Sequence, residues 1–311
     1  MAARLSARVS DRLRARGGLL AVSGGALLWG TTGVAVSIVH DRSGLSAVSI
    51  GWYRVAIAAV VVALIFRGPG LRRAFAAVRR RPLALVVSGV GFGAYQALYF
   101  IGVQQVGVSV STLVSLGIAP VALTVGTAVA RRRWPATPAT VVLALALAGL
   151  MLISLRPDGG GGAHPALGVL ASVASGLGYA GTTALSRRMS DEDPLLLTGV
   201  TSTVAAIVLL PVALPFEISL PHDSIANGGL LYIGIVPTVA AYWLFYRGLR
   251  STPSEIAGVL TLLEPLAATV LAAIVLHETL SALGIIGALL MLVAVGALYA
   301  RRPVAEAPPP P

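Results

Sequence analysis

Residues 262–278 read LLEPLAATVLAAIVLHE, and the third residue of this stretch, Glu264, is an acid in an otherwise apolar run. A run of this length belongs in lipid or in a deep core, where an unpaired carboxylate costs free energy. Glu264 lies about twelve residues into a predicted span of about 25, which places it roughly 18 Å along a helix. The stretch therefore predicts a membrane-spanning helix with an ionisable group near the middle of the bilayer.

The composition of the whole chain is that of a polytopic membrane protein. Of its 311 residues, 56% are hydrophobic and only 11% are charged, against roughly 25% charged residues in soluble domains. The chain has no cysteine, which excludes disulfides, thiolate metal sites and cysteine nucleophiles. Its four histidines are scattered, and it has no GxxxxGK[ST] segment for ATP. We expect neither a metal nor a cofactor.

Ten windows of about 20 apolar residues are long enough to cross the hydrocarbon layer. Basic residues in short loops stay on the cytoplasmic side, and 20 of the 23 basic residues, all arginines, fall in the amino-terminal arm, the even-numbered loops and the carboxy-terminal flank. Both termini are therefore predicted to be cytoplasmic. The charge is a topology signal that also attracts anionic lipid, and no nucleic-acid partner is expected. The windows are 18–39, 45–66, 82–104, 106–130, 138–155, 165–186, 194–215, 227–249, 252–276 and 280–300.

The chain repeats itself across a Gly-rich connector. The triplet Gly-Thr-Thr at 30–32 recurs at 181–183, an offset of 151, and Pro120 matches Pro265 at an offset of 145. A repeat with an odd number of spans inserts its two copies in opposite orientations. The sequence therefore predicts an all-α integral membrane protein with ten transmembrane helices as two inverted five-helix repeats. The divisions are a basic cytoplasmic arm (1–17), the first repeat (18–155), a linker (156–164), the second repeat (165–300) and a Pro-rich tail (301–311).

Several of these features together resemble the EamA-type family of the drug/metabolite transporter superfamily. They are the ten spans, Trp29-Gly30, Arg54, and the segment 262–299 with its Glu264-Pro265 pair. The resemblance covers roughly residues 18–300, and it implies a secondary transporter of small metabolites such as amino acids. The family's Gly-Glu motif corresponds to residues 277–280, HETL, with His277 in the glycine position. The first repeat has no acid at the equivalent place, which favours a structural or capping role for that motif.

Two charged residues inside predicted spans are additions to the repeat. The counterpart of Glu264 is Ala119, and the counterpart of Arg54 is Ala205. Glu264 either lines the cavity, where it pairs with a cationic group of the substrate or takes up a proton, or serves helix packing. Arg54 either contacts a substrate carboxylate or an acidic side chain, or bonds helix carbonyls or reaches the interface.

Aromatic, amide and hydroxyl side chains accompany these charges. Tyr and Trp at midplane depth bind amphipathic solutes, whereas near helix ends they anchor the protein at the interface. We expect interface positions for Trp243 and Tyr246, which are close to Arg247 in sequence. Threonines in such helices either contact substrate or bond their own backbone. The candidate substrate and proton pathway comprises Glu264, Arg54, Tyr95, Gln96, Tyr99, Tyr242, Trp29, Thr32, Tyr179 and Thr183.

The predicted function is a secondary transporter of the inner or plasma membrane that exports small metabolites by alternating access. Protons are the expected coupling ion, with Glu264 as their carrier. Its partners are a small-molecule substrate and the lipid bilayer, and Gly284, Gly287 and Ala288 fit either internal packing or a homodimer face. An uptake carrier and a non-transporting scaffold or sensor stay open as alternatives. An enzyme is not expected, because no nucleophile and base converge.

Overall fold

The computed structural model describes residues 2–67, 72, 76, 78–154, 162–275 and 281–300, with side chains from residue 13 onward. Every regular element that these residues form is a helix. The helices are α1 (Ala2–Gly30), α2 (Thr32–Ser43), α3 (Ala47–Ile65), α4 (Pro82–Arg131), α5 (Thr137–Ser154), α6 (Pro165–Arg188), α7 (Pro194–Ala213), α8 (Ser224–Gly234), a π-helix (Ile235–Ala240), α9 (Ala241–Leu249), α10 (Ser254–Leu260), α11 (Leu263–Val275) and α12 (Ala282–Ala300).

Eight helical segments among the described residues are long and apolar enough to cross a membrane. One of them, Pro82–Arg131, has 50 residues and covers both the third and the fourth predicted spans. The predicted sixth span is the helix Pro165–Arg188, which is not among the eight and ends in two arginines. The all-helical fold is confirmed, whereas the number of ten spanning helices stays a prediction.

The boundary between the third and fourth predicted spans is wrong by a few residues. The helix continues through Gln104–Val106 and is interrupted at Gly107, whose φ of 80° and ψ of 167° are not helical. This conformation favours glycine because a Cβ would collide with the backbone. The chain therefore bends at Gly107, and not at the polar pair that the sequence suggested.

Two predicted spans, the first and the ninth, are interrupted along their length, which the sequence analysis did not predict. The first span turns at Thr31, between α1 and α2, and the ninth turns at Thr261 and Leu262, between α10 and α11. Proline explains the second break, because Pro265 has no N–H for the Thr261 carbonyl, which instead accepts a hydrogen bond from Glu264 N at 3.0 Å. The ninth span is thereby divided immediately before Glu264.

The eighth predicted span contains the π-helix Ile235–Ala240. Pro237 leaves the carbonyl of Ile233 without its usual donor, and the buried Thr238 hydroxyl donates to that carbonyl at 2.8 Å. Wide helical turns of this kind occur often at functional sites. In this chain the turn lies directly before α9, which carries Tyr242.

The helices pack so that each half contacts the other. Helix α1 packs against α9, α4 against α6, α3 against α7, and α5 against α12. The largest hydrophobic core lies where these pairs meet and includes Trp29, Phe92, Tyr242 and Phe245. Polar side chains on these helices are therefore held inside the bundle and away from its lipid-facing exterior.

Some of the sequence predictions lie outside the described residues. These are the 277–280 motif, most of the Gly-rich connector and the Pro-rich tail at 301–311. The predicted division of the chain into two repeats with a linker stays a prediction.

Candidate functional site

The buried ring of Tyr242 on α9 is the centre of an aromatic cluster contributed by four helices. Trp29 of α1 and Phe92 of α4 each place a ring centroid 4.8 Å from that of Tyr242. Tyr246, one turn further along α9, lies 5.8 Å away by the same measure. Offset and tilted arrangements of this kind are favourable between aromatic rings. We call the set Trp29, Phe92, Tyr95, Tyr179, Tyr242 and Tyr246 the central cluster.

A hydrogen bond joins the two halves of the chain inside the central cluster. The hydroxyls of Tyr95 and Tyr242 are 2.8 Å apart, and the ring of Tyr179 meets Tyr95 edge-on at 5.5 Å. The backbone carbonyl of Tyr95 accepts a hydrogen bond from Ser175 of α6 at 2.7 Å. Tyr95 is therefore held by both its main chain and its side chain.

The central cluster, apart from Trp29, lines a cavity of about 10 Å³, which is room for about one water molecule. Its walls combine aromatic rings with hydroxyl groups, so a solute there would meet both apolar and polar surfaces. In this conformation the space is too small for a metabolite, so binding requires the helices to separate. The hydroxyls belong to Ser88, Thr182, Thr183 and Ser186, besides those of the tyrosines.

Arg54 of α3 enters the same region and binds Gln96 of α4. Its Nη2 atom donates to Gln96 Oε1 at 2.5 Å, and the side chain of Gln96 is buried. This amide is not among the partners that the sequence suggested for Arg54, whose role toward a solute stays a prediction.

Glu264 lies in the first turn of α11, directly after the break at Thr261 and Leu262. A carboxylate is favoured at a helix amino terminus because the unpaired backbone N–H groups there carry partial positive charge. Within the described part of the chain, no ion pair within 4.0 Å joins Glu264 to Arg54.

A close approach of backbones fixes the position of Glu264. Gly30, the last residue of α1, lies against α11, and a Cβ on Gly30 would be 2.8 Å from the carbonyl oxygen of Glu264 and 2.5 Å from Ala267 Cβ. Only glycine fits this contact without a shift of one helix. The Trp29-Gly30 pair thus contributes a ring to the central cluster and a packing surface to α11.

The other predicted pathway residues lie in different parts of the structure. The hydroxyls of Tyr99 and Thr112 form a hydrogen bond of 2.8 Å across the Gly107 kink. Thr183 lies beside Tyr179 in the cavity wall. Thr32 begins α2 beyond the break and does not line the cavity. Their roles toward a solute stay predictions.

Sequence reasoning missed part of the site and misplaced one residue. Tyr246 is buried, with its hydroxyl 3.5 Å from Thr201 Oγ1, so its expected position at the interface is wrong. The guanidinium of Arg247 lies over the ring of Trp243, 5.2 Å from its centre, and the expected interface position of Trp243 stays a prediction. Phe92 was missed, because a lone phenylalanine in an apolar span carries no signal that separates it from lipid-facing residues.

At the predicted cytoplasmic end, charged side chains from the two halves pair with one another. Arg81 donates two hydrogen bonds to the carboxylate of Asp191, of 3.0 and 2.9 Å, and a third to the carbonyl of Arg188 at 3.1 Å. Arg80 lies 3.7 Å from the carboxylate of Glu192. Arg250 donates to the carbonyls of Ser190 and Glu192. We call Arg80, Arg81, Asp191, Glu192 and Arg250 the ionic clamp.

A larger hollow, of about 550 Å³, lies toward the other end of the bundle. It is formed by α2, α8 and α11, and its walls are almost entirely apolar. At its edge, Tyr232 donates a hydrogen bond to Thr31 at 3.0 Å, at the break in the first predicted span. The hollow thus begins two residues from Trp29 and extends away from the ionic clamp.

Within the described residues, no group of three or more His, Asp or Glu side chains could hold a metal ion.

Comparison with known proteins decides the family. The model of the EamA-like transporter family matches residues 16–155 and again residues 166–300. The chain belongs to the EamA-like transporter family. It is therefore a multi-pass membrane protein of a transporter family, and nothing in these matches indicates catalysis.

Relatives of this EamA-like protein carry general names. It is 31% identical over 287 residues to the uncharacterized transporter YwfM of Bacillus subtilis (strain 168), covering 91% of this chain and 94% of the relative. It is 30% identical over 207 residues to the uncharacterized transporter YdeK of the same organism, covering 63% and 68%. A solved crystal structure matches with a TM-score of 0.75 at 19% identity, covering 93% of this chain and 96% of the other, which shows the shared fold.

Proposed function

We propose that this chain is a secondary transporter that moves small amphipathic metabolites, amino acids or related compounds, across the cytoplasmic membrane by alternating access. One observation carries the proposal: Arg54 binds Gln96, which follows Tyr95, and Glu264 lies in the first turn of α11 against Gly30, which follows Trp29, yet no ion pair joins the two charges in the described part of the chain. Buried unlike charges that serve stability alone are expected to pair directly. Charges that are kept apart suit a solute that binds between them.

The packing of the helices supports two inverted repeats of five spans with both termini cytoplasmic. The family model matches twice, once in each predicted half. Helix α1, in the first span, packs against α9, in the eighth, and α4, which covers the third span, packs against α6, the sixth. The first span of each half therefore contacts the third span of the other half. Thr124 and Thr269, which correspond at the offset of 145, each donate to the carbonyl of the preceding repeat proline, at 2.7 and 2.8 Å. Inverted repeats place the substrate site near the midplane, between the halves.

The two ends of the bundle support alternation of access. The ionic clamp joins the loop before α4 to the loop before α7 and closes the predicted cytoplasmic end. The opposite end contains the hollow of about 550 Å³ that begins at the break near Trp29. Export follows if a solute enters when the clamp opens and leaves past this hollow.

Proton coupling is assigned to Glu264. A carboxylate within the bilayer is stable when it pairs with a cation or takes up a proton. If a cationic group of the solute and a proton compete for Glu264, the outward movement of one drives the inward movement of the other.

The test uses purified protein in liposomes on a solid-supported membrane, with an inward proton gradient and a panel of amino acids, amines and aromatic metabolites. Wild type should give currents that depend on a solute, and Glu264→Gln should give none. Glu255→Gln is the matched control, because Glu255 is also in a first helical turn but bonds Thr127 and Arg131 away from the site.

Two outcomes would contradict the proposal. Equal currents from wild type and Glu264→Gln would remove the carboxylate from the mechanism. If neither the currents nor the uptake of labelled panel compounds exceeds that of empty liposomes, the scaffold or sensor alternative is favoured.

A further inference from the structure

The small cavity of the central cluster is a long, narrow space between three helices. Its wall extends from Ser88 to Tyr95 on α4 and from Tyr179 to Ser186 on α6, and α9 closes the third side with Tyr242 and its neighbours. Each of the first two stretches covers about 10 Å of helix, at roughly 1.5 Å per residue. A volume of about 10 Å³ over this length means that the walls touch along most of it. We call this cavity and its wall the seam.

The seam lies between the central cluster and the ionic clamp. Arg81, directly before α4, donates to the carbonyl of Arg188 at the end of α6 at 3.1 Å, so these two helix ends are at one level. Ser186 is about 3 Å and Ser88 about 10 Å along its helix from that level. One end of the seam is therefore close to the clamp, and the other is the hydrogen-bonded tyrosine pair of the central cluster.

Two hydroxyl groups of the seam are buried and have no hydrogen-bond partner among the described residues. They are Ser88 Oγ, toward the clamp, and the Tyr179 hydroxyl, toward the tyrosine pair. Leaving a buried hydroxyl without a partner costs free energy, and alanine or phenylalanine would fill the same space without that cost. Because a hydroxyl both donates and accepts, water or a polar group of a solute would satisfy both groups once the walls separate.

Further from the clamp, the same two helices pair their hydroxyl groups. Ser172 of α6 donates to Ser111 of α4 at 3.0 Å and to the carbonyl of Gly168 at 2.8 Å. Ser115 of α4 donates to the carbonyl of Ser172 at 3.0 Å. These bonds hold the helices together, whereas the seam gains hydrogen bonds when it opens. The difference indicates that α4 and α6 separate at the clamp end and stay joined at the other.

We propose that the seam is the closed form of the route between the predicted cytoplasmic end and the central cluster, and that it opens to water and solute when the ionic clamp separates. This inference rests on the proposed transport function and deepens it by naming the route. Among the described residues that line the seam, none is charged. The route therefore offers a solute hydroxyl groups and aromatic rings, and discrimination by charge is left to Arg54 and Glu264.

The experiment measures how fast single cysteines in the seam react with a membrane-impermeant thiol reagent. The chain has no cysteine of its own, so Ser88→Cys and Ser186→Cys each report one position. The full-length variants are labelled in membrane vesicles whose cytoplasmic face is outward. Ser186→Cys should react faster than Ser88→Cys, because it is closer to the clamp. Adding Arg81→Ala, which removes an exposed ion pair of the clamp, should raise both rates by about threefold or more.

Ser202→Cys is the matched control. Ser202 is as buried as Ser88 and also has no partner among the described residues. It lies eight positions after the first residue of α7, near the same end of the bundle, but it does not line the seam. Its cysteine should stay unlabelled with and without Arg81→Ala. Labelling after denaturation in detergent should be equal for all three cysteines, which shows that each thiol is intact.

A second readout tests whether the solute itself passes through the seam. Ser88→Cys protein in liposomes is compared before and after reaction with a bulky thiol reagent. The adduct should fill the route, so the solute-dependent currents should be lost. The same treatment should leave the currents of Ser202→Cys protein unchanged.

The seam is overturned as a route if neither seam cysteine reacts from the cytoplasmic face, or if Arg81→Ala leaves both rates unchanged. Equal labelling of Ser202→Cys and Ser88→Cys would also overturn it, because the whole bundle would then be loose. So would currents that survive full labelling of Ser88→Cys. Each of these results leaves the proposed transport function intact, because transport by wild type is measured separately. Conversely, seam labelling that depends on Arg81 in a protein that transports none of the compounds would support the opening of the seam and contradict the transporter.

Discussion

Charges from the two halves of this EamA-like protein meet in two places, and only one of them is complete by itself. In the ionic clamp, Arg81 and Asp191 form two hydrogen bonds of 3.0 and 2.9 Å. At the central cluster, no ion pair joins Arg54 to Glu264, and Arg54 Nε has no partner among the described residues. The charges of the clamp are paired within the chain, whereas the central site keeps a donor without a partner in the described structure.

The two places also differ in their exposure to water, which changes how much free energy each interaction contributes. Arg81 and Asp191 keep 40% and 60% of their side-chain surface exposed, so water shares the cost of their charges. An exposed pair of this kind contributes about 0.2–1 kcal/mol and can open at little cost. The donors of the central site are buried, so each partner that they gain or lose matters more. In the proposed mechanism the clamp opens and the central site recognises the solute.

The largest difference in solute affinity is expected between an arginine-to-alanine change at the central cluster and the same change in the ionic clamp. Arg54→Ala removes a buried charge and leaves Gln96 Oε1 without its donor, which should lower the apparent affinity for the transported solute by about 30-fold or more. Arg81→Ala removes an exposed charge and should change that affinity by less than about fivefold. Concentration dependence of the currents measures both, and similar effects from the two variants would erase the distinction.

A pair of glycines tests how closely α1 must approach Glu264. Gly30→Ala places a methyl group 2.5 Å from Ala267 Cβ and 2.8 Å from the Glu264 carbonyl oxygen, which should destabilise the protein by about 1–3 kcal/mol and displace Glu264. Gly33→Ala, three residues later, meets nothing within 4 Å. Thermal unfolding and transport should both be impaired in the first variant and near wild type in the second.

The hydrogen bond between Tyr95 and Tyr242 allows the two halves of the central cluster to be tested against each other. Tyr95→Phe and Tyr242→Phe each remove one partner of the 2.8 Å bond without changing the rings. A double-mutant cycle on unfolding should give a coupling of about 1 kcal/mol. Additive effects would mean that the hydroxyls do not depend on each other and that the rings alone hold the cluster.

The smallest effect on stability is expected at the ionic clamp. Arg81→Ala and Asp191→Asn should each cost no more than about 1 kcal/mol. They should mainly change the rate of transport, because losing the pair changes how long the predicted cytoplasmic end stays closed. The combined exchange Arg81→Asp with Asp191→Arg should restore the rate, and a double variant slower than both single ones would argue against a clamp.

The sequence predicted the chemistry of the site better than its architecture. Glu264, Arg54 and Gln96 could be found because a charge or an amide in an apolar span is rare and costly. The breaks at Thr31 and at Thr261 could not, since neither is a glycine or a proline, and the second depends on a carbonyl that Pro265 cannot satisfy from four residues away. The ionic clamp could not be predicted either, because pairs such as Arg81 and Asp191 depend on how distant loops meet.

The burial of Tyr246 illustrates the same limit. In the sequence it is one residue from Arg247, and a tyrosine beside an arginine is typical of a membrane interface. In the structure Arg247 and Trp243 lie on one side of α9, while Tyr242 and Tyr246 share the side that faces the core. Helical spacing was available from the sequence, but the side of the helix that faces lipid was not.

The most direct test of the account measures transport of one solute in three chemical forms by three proteins. The forms are the amino acid that gives the largest current, its carboxamide, and its analogue without the amino group, each followed as labelled uptake into liposomes. If Arg54 recognises the carboxylate and Glu264 the amine, Arg54→Ala should lower uptake of the amino acid but not of the carboxamide. Glu264→Gln should lower uptake of the amino acid but not of the analogue without the amine. Equal losses for all three forms in both variants would contradict the account, because the two charges would then act on the fold and not on the solute.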